Sequence, residues 1–339
     1  MKLNHIYKSI ACGVLLAMTA TSCDLDYNPV DTYSDVTEGV NKTDEKPIFN
    51  SVQDVKTSMV TLHKKFRDRQ EHWYVDKLLI GDAHSDNAYA GTTGAEVVPY
   101  ETNSIEGSNS VLKRDWDRFL GDIAVANRII VGCDQLKALS ESERGKYQSQ
   151  AKIFRAMVMF DMVRLWGNFP VITTVGGDIT EDNVEEMYPT YFPPQNTAEE
   201  AYAQIEKDLT EAVENPNTPT NDTSDKSILT KSVARAMLAK VYAEKPLRDY
   251  AKVIKYADEL AADGFDLVED FSDLWAYDTE KKDCRVRNTK EAILEAHFPP
   301  GSGNWCTWMF GRNLSNWDES FTWAKWITPS RDLIRLYEE

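Results

Sequence analysis

The sequence predicts a mainly all-α protein in which paired helices carry a loop-rich face, with minor β structure. Three observations predict it. Long stretches place apolar residues three and four apart, the period of one helix face. Several open on a residue able to satisfy free backbone N–H groups, as at Ser51 and in Thr197-Ala-Glu-Glu200. Gly167, Pro170 and Gly264 then mark helix ends.

Residues 1–22 stand apart from the folded body. Lys2 and Lys8 give a positive start, and Ile10–Ala20 is an apolar run. It is shorter than the roughly 20 residues a membrane span needs and has the pattern of a signal peptide. The run meets Ala20-Thr21-Ser22-Cys23, which resembles the lipobox of bacterial lipoproteins, although Ala20 stands where that motif usually has leucine. Cys23 is therefore the expected lipid anchor. The alternative is an ordinary secretory signal with an incidental cysteine. Removing 1–22 takes away two lysines and no acids, moving the formal charge from −17 to −19. Residues 23–50 begin acidic and without helical period, and read as a tether.

Residues 51–264 read as a helical domain. Ser51–Arg69 places Val52, Val55, Met59, Leu62 and Phe66 on one stripe. Val111–Leu139 continues the pattern through Trp116, Phe119, Leu120, Ile123, Ala126, Asn127 and Ile130, and Glu143–Trp166 through Ile153, Met157, Phe160 and Val163. Thr197–Val213 follows its capping box. Leu229–Ala243 and Asp249–Ala262 form a pair that resembles a tetratricopeptide unit: Leu238, Ala239 and Tyr242 sit on its first helix, and Tyr250-Ala251 opens its second. The tyrosines are expected to fill the groove between them. No strict repeat of this kind runs through the chain.

From residue 265 to 339 the character changes. Phe265–Val268 and Ala292–Phe298 read as β-like runs around a charged turn at Glu280–Arg287. Residues 299–328 are rich in Gly, Asn and Trp, and the stretch from Thr328 to Glu339 reads as a freshly capped helix.

Composition narrows the chemistry. With 38 Lys+Arg against 55 Asp+Glu, the chain lacks the basic footprint of a nucleic-acid binder or a polybasic grip on lipid. Aromatic residues make up 11%, more than a disordered chain carries. There is no HExxH, GxSxG, P-loop or GxGxxG. His84-Ser85-Asp86 reads either as a catalytic or metal pair or as a solvated loop. The segment from Asp178 to Glu186 holds oxygen ligands without the spacing of a calcium loop, and reads as solvated. A glycosidase carboxylate pair has no local signature and stays open. Cys133, Cys284 and Cys306 are no disulfide framework; Cys284 and Cys306 either form one bridge or are small apolar side chains.

Two segments offer a binding surface. Trp305, Trp308, Trp317, Trp323 and Trp326 crowd an irregular stretch with Asn304, Arg312, Asn313, Asn316 and Asp318. Indole faces stack on sugar CH groups while amide, carboxylate and guanidinium groups bridge hydroxyls. The competing reading packs these rings onto the helical body. The second segment runs from Gly81 through Asp86, Asn87 and Tyr89 to Tyr100, in about forty irregular residues joining two helices. Its competing reading is a connector.

The stretch Ala151-Lys-Ile-Phe-Arg-Ala-Met-Val-Met-Phe-Asp-Met-Val-Arg-Leu-Trp166-Gly-Asn-Phe-Pro170 resembles the SusD/RagB family of surface lipoproteins. Further matches keep the same order: Cys23, Ser85-Asp86-Asn87, Ala126-Asn127-Arg128-Ile129, Ala201-Tyr202 with Asp208-Leu209, Thr230-Lys231 with Leu238-Ala239, Glu291–Glu295, and Pro329-Ser330. The resemblance implies four tetratricopeptide-like helix pairs beneath a loop-rich face. It implies an outer-membrane, non-catalytic protein that binds glycan or peptide and passes it to a SusC-like TonB-dependent transporter. It implies no cofactor and no metal. Members continue past the point corresponding to Glu339, so the C-terminal region is expected to be incomplete. Expected ligand-binding residues are Asp86, Asn87, Tyr89, Tyr100, Trp305, Trp308, Arg312, Trp317 and Trp323. A secreted glycoside hydrolase and a helical scaffold without small ligand are the rival classes.

Overall fold

The computed structural model describes residues 47–299 and 327–338, apart from residues 91–93, 178, 180, 182 and 245. Cys23 and residues 300–326, with Trp305, Trp308, Arg312, Trp317 and Trp323, lie outside the described residues.

The packed body begins before the first helix. Phe49 is buried and its ring lies against Gly132, where a Cβ would sit 2.4 Å from the ring. Helix α1 (Val52–Asp68) follows, with a reciprocal cap in which Ser51 Oγ accepts the Asp54 N–H and the Asp54 carboxylate accepts the Ser51 N–H. Its buried residues are Val55, Met59, Leu62 and Phe66, the stripe read from the sequence.

The chain does not become irregular after α1. A π-helical turn (Glu71–Val75) leads into α2 (Asp76–Gly81), a short strand β1 (Ala88–Ala90) and α3 (Val98–Glu101). The expected forty-residue loop is thus corrected. Trp73 and Leu79, carried by the π turn and α2, are buried in two separate hydrophobic clusters and hold this segment as structure.

Helices α4 (Ser110–Gln135) and α5 (Glu141–Trp166) pack side by side. The first ends four residues earlier than its apolar pattern suggests, because Ser140 breaks away to cap α5 by the same reciprocal device with Glu143. Leu136 and Leu139 stay buried in the turn between them. Gly167, at φ +71°, ends α5. The solvated loop expected through Glu186 gives way at residue 184 to α6 (Val184–Tyr191), which the sequence reading missed. Helix α7 (Ala198–Glu214) starts at the predicted Thr197 box.

Helices α8 (Lys231–Ala243) and α9 (Tyr250–Ala262) form the predicted pair. Its groove is filled by Tyr242 and Tyr256, whose rings are parallel at 6.1 Å. Tyr250, expected there, is 58% exposed at the start of α9. Six residues are about one and two-thirds helical turns, which sets the two rings about 120° apart around α9, so Tyr256 rather than Tyr250 faces α8. Successive packing of α4 on α5, α5 on α7, α7 on α8 and α8 on α9 gives the layered helical body.

The expected strands at Phe265–Val268 and Ala292–Phe298 are not strands. The first run is extended and meets the second region by one backbone bond, Asp266 N–H to Lys290 O at 3.2 Å. A 3-10 turn (Phe271–Trp275) precedes a minimal hairpin of β2 (Tyr277–Asp278) and β3 (Asp283–Cys284), whose second strand lies in the charged turn. Strand β4 (Ile327–Pro329) and α10 (Arg331–Glu338) follow residues 300–326, and Ser330 caps α10 with an Oγ bond from Leu333 N–H.

Candidate functional site: a turn and strand laced to the C-terminal segment

The turn after α2 is built from its own polar side chains. Asp82 O accepts both the Ser85 N–H and the Ser85 hydroxyl, and Ser85 Oγ accepts the Asn87 N–H at 3.2 Å. Such local bonding fixes a short turn without a core. His84, Ser85, Asp86 and Asn87 are all exposed on it.

Strand β1 then alternates in the way a half-buried strand must. Ala88 points inward, Tyr89 is 42% exposed, and Ala90 packs against the small cluster of Leu79, Ala83, Val97, Tyr100 and Val111. β1 pairs antiparallel with β4, with Ala88 opposite Pro329, Tyr89 opposite Thr328 and Ala90 opposite Ile327. Ile327 plants its side chain on the same cluster. Two further bonds clamp the strand: Ser330 N–H to Asn87 O at 2.8 Å, and Ala90 N–H to the Glu101 carboxylate at 2.8 Å. Asp86, Asn87 and Tyr89 are therefore brought together on one exposed turn and strand. The strand partner begins one residue after Trp326.

Tyr100 is corrected out of this group. It is 1% exposed, inside the small cluster, with its hydroxyl 3.5 Å from Asn109 Oδ1. Burial raises its pKa, with Asp115 and Asp76 adding to the effect. An aromatic ring with no free face cannot stack on a ligand.

Beneath lie three charged networks. Arg155 donates to both oxygens of Asp208, at 2.8 and 2.7 Å, and to Asn127 Oδ1 at 2.7 Å. Asn127 in turn donates to Ile172 O and Thr174 O, so α4, α5 and α7 and the chain after Pro170 are tied together. A second network joins His72, on the π turn, to Asp122 at 3.1 Å, with Lys65 at 3.4 Å from the same carboxyl group. Burial holds His72 below its ordinary pKa and so favours the neutral ring.

The third places two carboxyl groups, Asp76 and Asp115, beside Arg114. Burial, and then the neighbouring Asp76, pushes Asp115 up to about 8. A raised carboxyl beside a second one has the form of a glycosidase acid pair. Asp76 and Asp115 are 0% and 1% exposed, so neither offers an oxygen to a sugar in solution.

Two open grooves run beside α1. One, of about 410 Å³, is lined by Phe66, Trp73, Tyr74, Lys77, Met157 and Phe298 among others. Its Lys77 ammonium lies 4.9 Å from the Trp73 ring centre and 2.6 Å from Asp161. The other, of about 300 Å³, lies between His63 and His297. Neither was legible beforehand, because its walls come from α1 and from residues 294–298, far apart in sequence.

Among the described residues, no group of three or more His, Cys, Asp and Glu side chains is arranged to hold a metal ion. Cys133 is buried, with its thiol pushed up to about 12 by that burial, and Cys284 is exposed. No described helix is long and apolar enough to cross a membrane.

Residues 33–243 match the SusD-like family model described as "starch-binding associating with outer membrane". The chain belongs to this SusD-like family. A SusD-like protein of Bacteroides ovatus is 26% identical over 238 residues, covering 67% of this chain and 39% of that relative. The chain thus spans about two fifths of that relative's length. Among solved structures, surface glycan-binding protein A from Bacteroides thetaiotaomicron, in complex with laminarihexaose, aligns with a TM-score of 0.64 and 15% identity. That match covers 84% of this chain and 61% of the other. A laminarin binding SusD-like protein aligns at a TM-score of 0.55 and 20% identity, over 67% of this chain and 48% of its own. These likenesses carry the fold. Within the SusD-like frame, Asn127, Arg155 and Asp208 are the buried fastener of the helical body and not part of its exposed turn.

Proposed function

We propose that this SusD-like chain is a non-catalytic surface subunit that binds glycan and delivers it to a SusC-like TonB-dependent transporter. It is held to the outer membrane by a lipid on Cys23 after loss of residues 1–22. Asp86, Asn87 and Tyr89 form one side of the binding face, and Trp305, Trp308, Arg312, Trp317 and Trp323 supply the stacking rings and planar donors of the other.

The observation that carries this reading is the β1–β4 ladder. It sets the exposed Tyr89 strand directly beside the point where the chain leaves its tryptophan-rich segment. The strand of the first segment thus pairs with the residues that follow the second, which supports treating the two as one face. The laminarihexaose held by the structural relative adds a ligand class to try first.

The test is calorimetric titration with laminarihexaose and with a starch-derived oligosaccharide, using wild type, Tyr89→Ala and Trp305→Ala. Binding weakened by about ten-fold or more in both variants, about 1.4 kcal/mol, supports a shared face. Unchanged binding in both removes these residues from the site.

A further inference from the structure

Helix α6 presents an aromatic stripe that the glycan reading does not use. Val184, Tyr188 and Phe192 follow one another at four-residue steps and are 44%, 58% and 67% exposed. The Tyr188 and Phe192 rings stack, with centroids 4.8 Å apart and planes 29° apart. The end of the helix is tethered to the chain that precedes it. Tyr191 donates its hydroxyl to Gly177 O at 2.6 Å, and its ring passes so close to Gly176 that a Cβ there would lie 3.0 Å from it. Tyr191 is itself 46% exposed, and none of the helix residues is buried.

The chain on either side of the helix carries charge of one sign. Between Leu165 and Glu206 the sequence has seven acidic residues and no Lys, Arg or His. Glu181, Glu185, Glu186 and Glu199 are exposed and form no ion pair among the described residues. Glu185 lies three residues before Tyr188, the spacing that makes helix neighbours.

We propose that this face docks an arginine-bearing segment of a partner protein. A guanidinium is the group that meets both halves of the surface. Its plane stacks on aromatic faces, and its fork of donors pairs with carboxylates. An apolar partner would bury Glu185 and Glu186 unpaired, which is costly. The inference is independent of the glycan reading and rests on a different element.

The probe is a synthetic peptide of alternating Arg and Gly, with a matched peptide carrying citrulline in place of arginine, titrated calorimetrically into the purified protein. The arginine peptide is expected to bind with an affinity that falls as salt rises, and the citrulline peptide is not. Tyr188→Ala combined with Phe192→Ala removes no charge and is expected to raise Kd about five-fold or more. Tyr250→Ala, an equally exposed tyrosine elsewhere, is expected to leave Kd unchanged. Glu185→Gln with Glu186→Gln keeps the rings and is expected to weaken binding and flatten its salt dependence. Kd unchanged in the ring variant with an unaltered circular dichroism melt, or equal binding of the citrulline peptide, overturns the proposal. So does loss of laminarihexaose binding in the ring variant while arginine-peptide binding persists, which reassigns the face to glycan.

Discussion

The Arg155 guanidinium grips both carboxylate oxygens of Asp208 across the interface of α5 and α7, with both side chains almost fully buried. Removing one partner strands the other charge in the core. Arg155→Leu or Asp208→Leu is expected to cost about 3–5 kcal/mol, and the double substitution less than the sum of the two. Denaturant unfolding of the three variants measures this; additive losses would mean that the two side chains act separately.

The Asp76–Asp115 pair sets a pH dependence of opposite sign to the usual carboxylate. Burial, and then the neighbouring Asp76, pushes Asp115 up to about 8 in the folded protein, from an ordinary 3.8. Between those values the native state holds a proton that the unfolded chain releases. The stabilisation is complete below about 4 and is lost progressively as pH rises through about 8. Asp115→Asn is expected to flatten the fall in Tm across that window. A parallel fall in both proteins would contradict it.

His72 and His63 act in the other direction. Burial lowers the pKa of each below its ordinary 6.5. Their stabilisation is present above 6.5 and lost as pH falls through the lowered folded values, where the buried rings must take up charge. His72→Gln is expected to reduce the acid-side loss of Tm, whatever its effect at neutral pH.

Tyr89 and Tyr100 separate binding from stability. Tyr89→Ala is expected to weaken glycan binding while leaving Tm within about 1–2 °C, as for a surface position. Tyr100→Ala removes a buried ring and is expected to cost about 3–5 kcal/mol of stability. Thermal melts beside calorimetric titrations distinguish the two, and a stable, non-binding Tyr100 variant would return that ring to the site.

Membrane attachment has its own readout. Cys23→Ala is expected to move the protein from the membrane fraction to the soluble one, since a lipid and not a polypeptide span would hold it. Detergent phase partitioning reports the change, and continued membrane recovery of the variant would count against Cys23 as the anchor.

The helices were legible because their signals are local. Ser51 with Asp54 and Thr197 with Glu200 lie three residues apart, and the Val55 to Phe66 stripe needs only the helical period. What was not legible depends on distant partners. Asn127, Arg155 and Asp208 stood out as motif residues, yet their joint role appears only when three helices meet. Tyr89 and Tyr100 look alike in sequence, and only the cluster around Val111 decides that one is buried. The run Ala292–Phe298 has strand composition, but strand identity belongs to a ladder, and no described neighbour provides one. For the candidate site, Asp86, Asn87 and Tyr89 were read from loop chemistry and the Ser85-Asp86-Asn87 resemblance, whereas their pairing with β4 was not foreseeable.

The ladder between Ala88 and Pro329 joins residues more than two hundred positions apart. The first strand stays unpaired until a segment more than two hundred residues later has emerged and found it. Helices α4 to α9 have all their neighbours well before then. The scaffold is thus positioned to mature first, with the turn before β1 laced last. A chaperone or protease arriving in that interval would meet a finished helical body with one unfastened edge.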